Sequence, residues 1–266
     1  MKPARPYPGT RAAVRAIRLL KAFTPLAPER GLKELAETVG LNKTTAYRLL
    51  TALESEGMVR RGGDGEAYRL GPELVALAAG VVGSGDLRVA ARAELSALAR
   101  AARETATLEV LVGDAVLILD EAIGGHMLGA MPSTGTRWPA HATSTGKVLL
   151  AGLTDAERDA LLPGRLPALT PKTITDPQAL RRELARVRQR GYAVATEELE
   201  PGFVAVGAPV RSADGRVVAA LGIGGPKTRL TPRRVAELAR QLPPAAGRVS
   251  ARLGHRLVHT PRASAR

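Results

Sequence analysis

Cysteine is absent from the 266-residue sequence, and aromatic residues are scarce, with two Phe, four Tyr and one Trp. Without cysteine the chain can form no disulfide framework, thiolate nucleophile or Cys-ligated zinc site, which excludes zinc fingers and thiol redox chemistry. Long apolar runs are missing too, since the longest uncharged apolar stretch, residues 74–83, is well short of the roughly 18 residues that a membrane span needs. Residues 1–13 carry charge and proline instead of the apolar core of a signal peptide, so we expect a cytoplasmic protein without membrane partners.

What is present is an ordinary globular composition, 45% apolar and 24% charged, in a chain long enough for two domains that each bury a core. The formal net charge is +14, and the first 71 residues carry 13 Lys/Arg against 7 Asp/Glu. A basic domain favours a polyanionic partner, most simply nucleic acid. An arginine-rich background throughout the chain would also explain the excess, so the patterning of residues has to decide.

Three amphipathic patterns in the first 57 residues predict three short helices. The first covers residues 11–23 and carries a basic stripe beside its apolar side. The second covers residues 32–39 and stops at Gly40, and the third begins at the N-cap Asn42 and ends at Gly57. Two helices joined by a turn of three to four residues form the helix-turn-helix arrangement, whose second helix can enter the major groove of DNA.

The side of the third helix opposite its leucines has no acidic residue before Glu54, whereas ordinary solvent-facing helices carry Glu/Lys pairs. Residues 58–61 and 67–70 are strand-like and are joined by the turn-rich sequence GGDGE, which predicts a basic hairpin of the winged kind. We therefore predict that residues 10–71 form a winged helix-turn-helix domain that binds double-stranded DNA. Groove contacts are predicted for Lys43, Thr44, Tyr47 and Arg48 with the adjoining Asn42 and Thr45, and phosphate contacts for Arg11, Arg15, Arg60 and Arg61.

The remaining sequence predicts a linker and a larger α+β domain. Residues 72–85 are interpreted as a linker helix that ends at Gly83-Ser84-Gly85, and a new helix is expected from residue 86 to about 104. Hairpins with helices grouped between them indicate an antiparallel α+β domain at residues 86–254, ahead of a basic tail at 255–266. Strands are expected at 107–111, 115–119, 128–131, 192–196, 204–211 and 216–223, and helices at 144–152, 155–162, 176–190 and 232–253.

Catalytic motifs in the second domain fail on inspection. The sequence TSTGK at residues 143–147 is similar to a phosphate-binding loop, but it lacks the first glycine and the Ser or Thr after the lysine. The sequence GIGG at residues 222–225 lacks the third glycine of a dinucleotide fingerprint, because Lys227 stands there. The four histidines are scattered, so we predict no catalytic residue, no metal and no cofactor.

Residues 143–147 fit a milder role as the start of a helix. A helix N-terminus offers unpaired backbone N–H groups and a partial positive charge, which suit a carboxylate. Lys147 would add charge there, or would lie on the surface. His141 and Ser144 form a suggestive pair, although a polar loop with Thr143 or Ser144 as the N-cap explains them more simply. The second domain is therefore predicted to sense a small molecule rather than to catalyse a reaction.

Seven stretches of the sequence resemble the IclR family of bacterial transcriptional regulators, from about Ala13 to Gly254. In chain order they are LKELAETVGLNKTTAYRLLTALESEGMV, YRLGPEL, GTRWPAHATSTGKVLLAGL, TPKTITDP, RQRGYAVATEELEPG, GAPVRSADGRVVAALGIGGP and RLTP. The resemblance implies a winged helix-turn-helix domain, a linker helix and a GAF-like effector-binding domain, assembled as a homodimer or homotetramer on a palindromic operator. It also implies that a small-molecule effector changes the affinity for the operator.

Several positions depart from the family pattern. Effector pockets for small oxo or hydroxy acids often have a cysteine where this chain has Ala205, serines at Gly222 and Gly224, and an aspartate at Ala195. Because these replacements remove hydrogen-bonding side chains and add volume to the pocket, they favour a larger, less polar ligand. An aromatic acid whose carboxylate meets the N–H groups of residues 144–146 is one example. The predicted effector-binding residues are Ser144, Thr145, Gly146, Ala195, Ala205, Gly207, Gly222 and Gly224.

Two other functions stay open at this point. One is an acyl- or phosphoryl-transfer enzyme built around His141, Ser144 and Lys147, and the other is a winged helix that binds a protein instead of DNA. The sequence leaves open the identity of the effector, the operator, repression against activation, and dimer against tetramer.

Overall fold

The computed structural model describes residues 10–24, 27–62, 66–74, 77, 82–125, 134–162 and 164–255. The chain divides into two compact units, and the division falls between Gly85 and Asp86. In the part of the chain described, no helix is both long and apolar enough to cross a membrane. The strand expected at 128–131 and the tail from residue 256 onward lie outside the described residues.

In the described residues from 10 to 70, the first unit has the helices α1, α2 and α3 and a small antiparallel sheet in the strand order β1-β3-β2. The hairpin predicted after the third helix is present, and a short strand that precedes the second helix completes the sheet on the other side of β3. The elements are α1 Arg11–Lys21, β1 Glu29–Gly31, α2 Leu32–Val39, α3 Lys43–Ser55, β2 Val59–Arg61 and β3 Ala67–Leu70.

The turn between α2 and α3 follows from its residues. Gly40 has a φ of 68°, a left-handed conformation that ends α2, and the next residue donates its N–H back to the carbonyl of Ala36. The Asn42 side chain then accepts the N–H of Thr45 at 2.8 Å and starts α3. The buried residues Leu19, Leu35, Leu50, Val59 and Tyr68 form the core that joins the helices to the sheet.

The second unit is built on a six-stranded antiparallel sheet in the order β6-β5-β4-β9-β8-β7. The predicted α+β class and its antiparallel sheet are confirmed. The strands are β4 Thr105–Val112, β5 Ala115–Ala122, β6 Arg137–Pro139, β7 Ala193–Thr196, β8 Phe203–Arg211 and β9 Val217–Pro226. The helices are α4 Val82–Ala102, α5 Ser144–Gly152, α6 Asp155–Leu161, α7 Pro177–Arg190 and α8 Pro232–Arg252, with a 3-10 turn at Ala140–Ala142.

Alternation along the strands gives the sheet two buried faces. Leu108, Val206 and Leu221 point toward one face, where they pack with the apolar sides of α4 and α8. Ala193 and Ala220 point toward the other face, where α5 and α7 cover them. Helices on both faces explain why every long strand is rich in small and apolar residues.

The predicted break at Gly83-Ser84-Gly85 is wrong, because α4 runs without interruption from Val82 to Ala102. A glycine in a helix interior costs about 1 kcal/mol relative to alanine. Extending a helix that already exists needs no new nucleation, and Leu95 and Leu98 hold the body of α4 on the sheet. Local glycine content therefore misplaced the start of the helix, since packing further along α4 decides it, whereas the division between the two compact units still falls after Gly85.

Candidate DNA-binding surface and effector-binding face

Helix α3 buries one side and exposes the other. Ala46 and Leu50 have no exposed surface, whereas the side chain of Tyr47 on the opposite side keeps 47% of its area open. We call the exposed side the recognition face. It consists of Lys43, Thr44, Tyr47, Arg48 and Thr51.

Asn42 and Thr45, which the sequence also placed at this surface, have structural roles. The side-chain oxygen of Asn42 is engaged by the helix cap, and Thr45 supplies the capped N–H and is half-buried. A cap of this kind stabilises a helix by about 1 kcal/mol. Both residues therefore hold the start of the recognition face in place, whether or not they touch a partner.

The residues predicted to contact phosphates lie on α1 and β2, two elements that pack against α3. Arg11 and Arg15 are exposed on α1, and Arg60 is exposed on β2. Arg61 is engaged differently, because its guanidinium lies 5.0 Å from the centroid of the Tyr68 ring and 3.6 Å from the Glu54 carboxylate. Arg61 thus ties the hairpin to the end of α3, and burial of the Tyr68 ring raises the pKa of its hydroxyl.

The start of α5 is buried against the sheet. Thr143 is the N-cap, as its hydroxyl accepts the N–H of Gly146 at 3.0 Å, and Ser144 and Thr145 are almost fully buried. A Cβ on Gly146 would stand 2.1 Å from the carbonyl oxygen of Ala140, so only glycine lets the 3-10 turn fold back on the helix. The first turn of α5 is therefore locked in place.

Two glycines let this helix approach the sheet. Gly207 of β8 lies opposite Gly222 of β9, and a Cβ on Gly207 would stand 2.8 Å from the backbone nitrogen of Thr145. A Cβ on Gly222 would stand 2.7 Å from the Thr107 hydroxyl and 2.8 Å from the Thr145 methyl group. Side chains at these two positions would force α5 away from β8 and β9.

The next row of the same sheet face contains the other predicted positions. Ala195 of β7 lies opposite Ala205 of β8, which lies opposite Gly224 of β9. All eight predicted effector residues are thus brought together on one surface, which we call the effector face. It consists of Ser144, Thr145, Gly146, Ala195, Ala205, Gly207, Gly222 and Gly224.

The prediction that Gly222 and Gly224 of β9 leave extra volume for a ligand is wrong, because neighbouring side chains occupy that space. Thr107 and Thr145 fill the space above Gly222, and a Cβ on Gly224 would stand 2.5 Å from the Phe203 ring. The Phe203 ring at the Gly224 position still agrees with a less polar surface. The argument for a larger ligand from added volume does not hold.

Glu109 was missed by the sequence analysis and lies at the floor of the effector face. Its carboxylate accepts the Thr107 hydroxyl at 2.7 Å and the Thr145 hydroxyl at 2.5 Å. Burial raises the pKa of Glu109, while the two hydrogen bonds oppose the rise. The signal in the sequence was an acid within the alternating strand TATLEVLV, at the same parity as Thr107.

Lys147 is neither a surface lysine nor a free charge at the start of α5. Its side chain is 1% exposed, and its ammonium donates to Glu198 at 2.6 Å and to the Val194 carbonyl at 3.2 Å. Burial raises the pKa of Glu198, and Lys147 opposes that rise. The lysine therefore ties α5 to β7 and to the turn that follows it.

The groups that an enzyme would need are engaged elsewhere. The His141 Nε2 lies 3.0 Å from the carbonyl oxygen of Pro167, and burial lowers the pKa of His141. Lys147 is bound to Glu198, so it is not available as a proton carrier beside Ser144. Among the residues that the structure describes, no group of three or more His, Cys, Asp or Glu could hold a metal ion.

A surface cavity beside α6 and α7 lies apart from the effector face. Its lining includes Arg158 and Arg181. Arg158 is 3.0 Å from Asp155, and Arg181 is 2.8 Å from Asp159. Both cations are thus paired within the protein, which makes this cavity a poor anion site.

A basic winged helix with an open recognition face, followed by an α+β domain, is typical of transcriptional regulators that bind DNA. The models of two protein families match the chain: the IclR helix-turn-helix domain over residues 12–63, and the bacterial transcriptional regulator IclR C-terminal domain over residues 79–251. The chain belongs to the IclR family, which confirms the resemblance seen in the sequence.

Relatives and solved structures agree. The HTH-type transcriptional regulator XynR of Escherichia coli K12 is 35% identical over 242 residues, which cover 91% of this chain and 96% of XynR. The IclR transcriptional regulator from Alicyclobacillus acidocaldarius superposes with a TM-score of 0.78 at 31% identity, covering 94% of this chain and all of that one. An IclR homolog from Microbacterium hydrocarbonoxydans complexed with 4-hydroxybenzoate gives 0.78 at 30% identity, with 91% and 98% covered. Regulation of transcription through DNA binding is therefore the function class of this protein, and none of these findings points to catalysis.

Proposed function

We propose that the protein is a cytoplasmic, sequence-specific DNA-binding regulator whose operator affinity changes when a small organic acid binds to the effector face. The observation that carries the proposal is the recognition face of α3, which is open, basic and free of acidic residues. An exposed helix face of this composition behind a helix-turn-helix core suits the major groove.

Within this proposal the exposed side chains divide into two roles. Arg48 pairs with guanine O6 and N7 while Lys43, Thr44 and Tyr47 contact neighbouring base edges. Arg11, Arg15 and Arg60 neutralise phosphates and set the register, and Arg61 contributes partly, because it also braces the hairpin. A homodimer, or a tetramer made of two dimers, would then read a palindromic operator whose half-sites lie about one helical turn apart.

The effector class is supported by the start of α5 and by one relative. The Thr143 hydroxyl occupies the N–H of Gly146, so of the three N–H groups expected to meet the carboxylate only those of Ser144 and Thr145 stay candidates. The Microbacterium homolog was solved with an aromatic acid. The Phe203 ring beside Gly224 offers an apolar surface for a ring or chain of the ligand. Titration calorimetry with glyoxylate and pyruvate against benzoate and 4-hydroxybenzoate tests the class. Tight binding of glyoxylate alone would overturn the aromatic assignment.

Coupling between effector and operator requires that the ligand bind two states of the protein unequally. Helix α4 is the element that would carry the difference, since it leads from the effector domain toward the linker. It is clamped to α8 by Glu94, which bridges Arg248 and Arg252, and to β5 by Arg92, which is 3.0 Å from Asp120. A shift of the sheet would thus be transmitted to α4.

Fluorescence anisotropy with labelled promoter-proximal duplexes tests the regulator. We expect saturable binding to one such fragment that survives competition by a shuffled duplex, and an affinity that changes on addition of the bound acid. Weak, salt-sensitive retention that is equal for all duplexes would overturn sequence-specific recognition. Capture of a protein partner insensitive to salt would instead favour a protein-binding winged helix.

A further inference from the structure

Glu109 is a buried carboxyl group that lacks a cation. It is 7% exposed, and its two oxygens accept hydrogen bonds only from the hydroxyls of Thr107 and Thr145 among the described residues. Burial raises the pKa of Glu109, and no charged group of the described chain contributes to lowering it. A carboxylate in such a place is costly unless a partner or a proton compensates it.

Thr145 places Glu109 beside the N-terminus that is proposed to bind the effector. The hydroxyl of Thr145 is bound to Glu109, and the backbone nitrogen of the same residue faces Gly207 of the effector face. A ligand carboxylate held by this N–H would lie roughly 5–7 Å from the Glu109 carboxyl, since each hydrogen bond spans about 3 Å. Two carboxylates that close in a buried site do not both stay ionised.

The neighbouring elements supply no free positive charge to relieve this repulsion. On α5, the Lys147 ammonium is bound to Glu198. On β5, Ile118 lies opposite Glu109 and the acidic Glu121 lies opposite Thr107. In the rows of Thr107 and Glu109, the facing residues are Gly222 and Ala220 on β9 and then Gly207 and Pro209 on β8, none of which carries a charge. Among the described residues, therefore, these neighbours present no unpaired cation to Glu109, and no charged group contributes to the shift of its pKa.

We propose that Glu109 is the specificity-determining residue of the effector face, and that an organic acid binds there together with one proton that Glu109 carries. The inference rests on the proposed function, because it assumes an acid at the start of α5. It follows that acids bind more weakly as the pH rises, since the proton must be taken from a more dilute pool. A neutral amide of the same shape binds independently of pH.

Titration calorimetry of the full chain with 4-hydroxybenzoate, between about pH 6 and pH 7.5, measures this coupling, because the carboxyl of the probe is ionised and its phenol is protonated throughout. Repeating each titration in two buffers with different ionisation enthalpies counts the protons taken up. We expect up to one proton per bound acid, an affinity that falls up to about tenfold per pH unit, and neither effect with 4-hydroxybenzamide.

Glu109→Gln keeps the side-chain shape and removes the proton site. This variant should bind 4-hydroxybenzoate without proton uptake and with the same affinity across the pH range. Glu200→Gln removes an exposed carboxyl from the same domain and should behave like the wild type. If Glu109→Gln does not fold, the proton count of the wild type decides alone.

The outcomes separate the inference from the function beneath it. Binding of 4-hydroxybenzoate by the wild type without proton uptake overturns the role of Glu109 and leaves the acid effector intact, as does proton uptake that persists in Glu109→Gln. No binding of 4-hydroxybenzoate, benzoate, pyruvate or glyoxylate at any pH overturns the acid class, and the inference with it. Specific DNA binding is measured independently in the anisotropy assay.

Discussion

Replacing Lys147 by methionine should destabilise the effector domain strongly. The lysine is the cation of a buried ion pair, with its ammonium 2.6 Å from Glu198 and its side chain 1% exposed. Methionine retains most of the apolar volume but leaves the Glu198 carboxylate buried without its partner. Breaking one side of such a pair costs about 3–5 kcal/mol, whereas replacing both partners by apolar residues is often close to neutral.

The loss should depend on pH in a defined direction. Burial raises the pKa of Glu198, and removing the opposing lysine raises it further. A carboxyl whose pKa is raised on folding favours the folded state at low pH and loses that contribution as the pH rises through the folded pKa. The variant should therefore regain stability as the pH is lowered, because Glu198 takes up a proton.

Trp138 provides a selective assay, because the only tryptophan of the sequence lies on β6 in the effector domain. Urea unfolding followed by its fluorescence should show a loss of about 3–5 kcal/mol for Lys147→Met at pH 8. The double variant Lys147→Met/Glu198→Leu should recover at least half of that loss. The matched control Lys172→Met removes an exposed ion pair with Glu197 and should cost less than about 1 kcal/mol. Equal losses for both lysines would refute the reasoning.

Three further changes test other parts of the structure. Gly222→Ala should lower the free energy of unfolding by about 1–3 kcal/mol, because the added methyl group meets Thr107 and Thr145. The control Gly247→Ala on α8, where a Cβ has nothing within 4 Å, should be neutral or stabilising. Equal effects of the two substitutions in urea titrations would contradict close packing at Gly222. Arg48→Ala should reduce the discrimination at one base pair by about 1–3 kcal/mol. Arg60→Ala should instead weaken binding to all duplexes and lower the slope of log affinity against log salt concentration by about 0.9. Anisotropy that shows the sequence preference intact in Arg48→Ala would refute the assigned docking. Hydrogen bonds from two arginines lower the pKa of Glu94, so the stability that Glu94 contributes to the fold is present above its unfolded pKa and is lost as the pH falls. Glu94→Gln should therefore flatten the dependence of the melting temperature on pH between about pH 5 and pH 3. Thermal melts that show an unchanged dependence would argue against that clamp.

Much of the first domain could be predicted from consecutive residues. The left-handed turn at Gly40, the cap at Asn42 and the apolar spacing around Leu50 are local signals, and each is a short-range preference that holds in isolation. The acid-free side of α3 needed only that spacing to be placed opposite the core. The bounds of α5 followed from its N-cap in the same way.

The effector face could be predicted only in part. Family motifs pointed to the rows that contain Ala205 and Gly222, and the strand register brings them together. What fills the space above them depends on Phe203 and Thr145, which come from other elements, so the expected extra volume was wrong. The break expected before residue 86 was wrong for a similar reason, because the packing of α4 outweighs its glycines.

The sequence by itself determined where the helices begin, which sides are apolar and where positive charge is concentrated, since these depend on neighbours along the chain. Only the tertiary structure decided that Lys147 is buried against Glu198 and that Glu109 faces Thr145, residues separated by 51 and 36 positions. A charged or hydroxyl-bearing side chain is the same group in the sequence whether the fold leaves it in solvent or buries it. Its pKa, and therefore its function, depends on which distant groups the fold places beside it and on how far the fold excludes water from it.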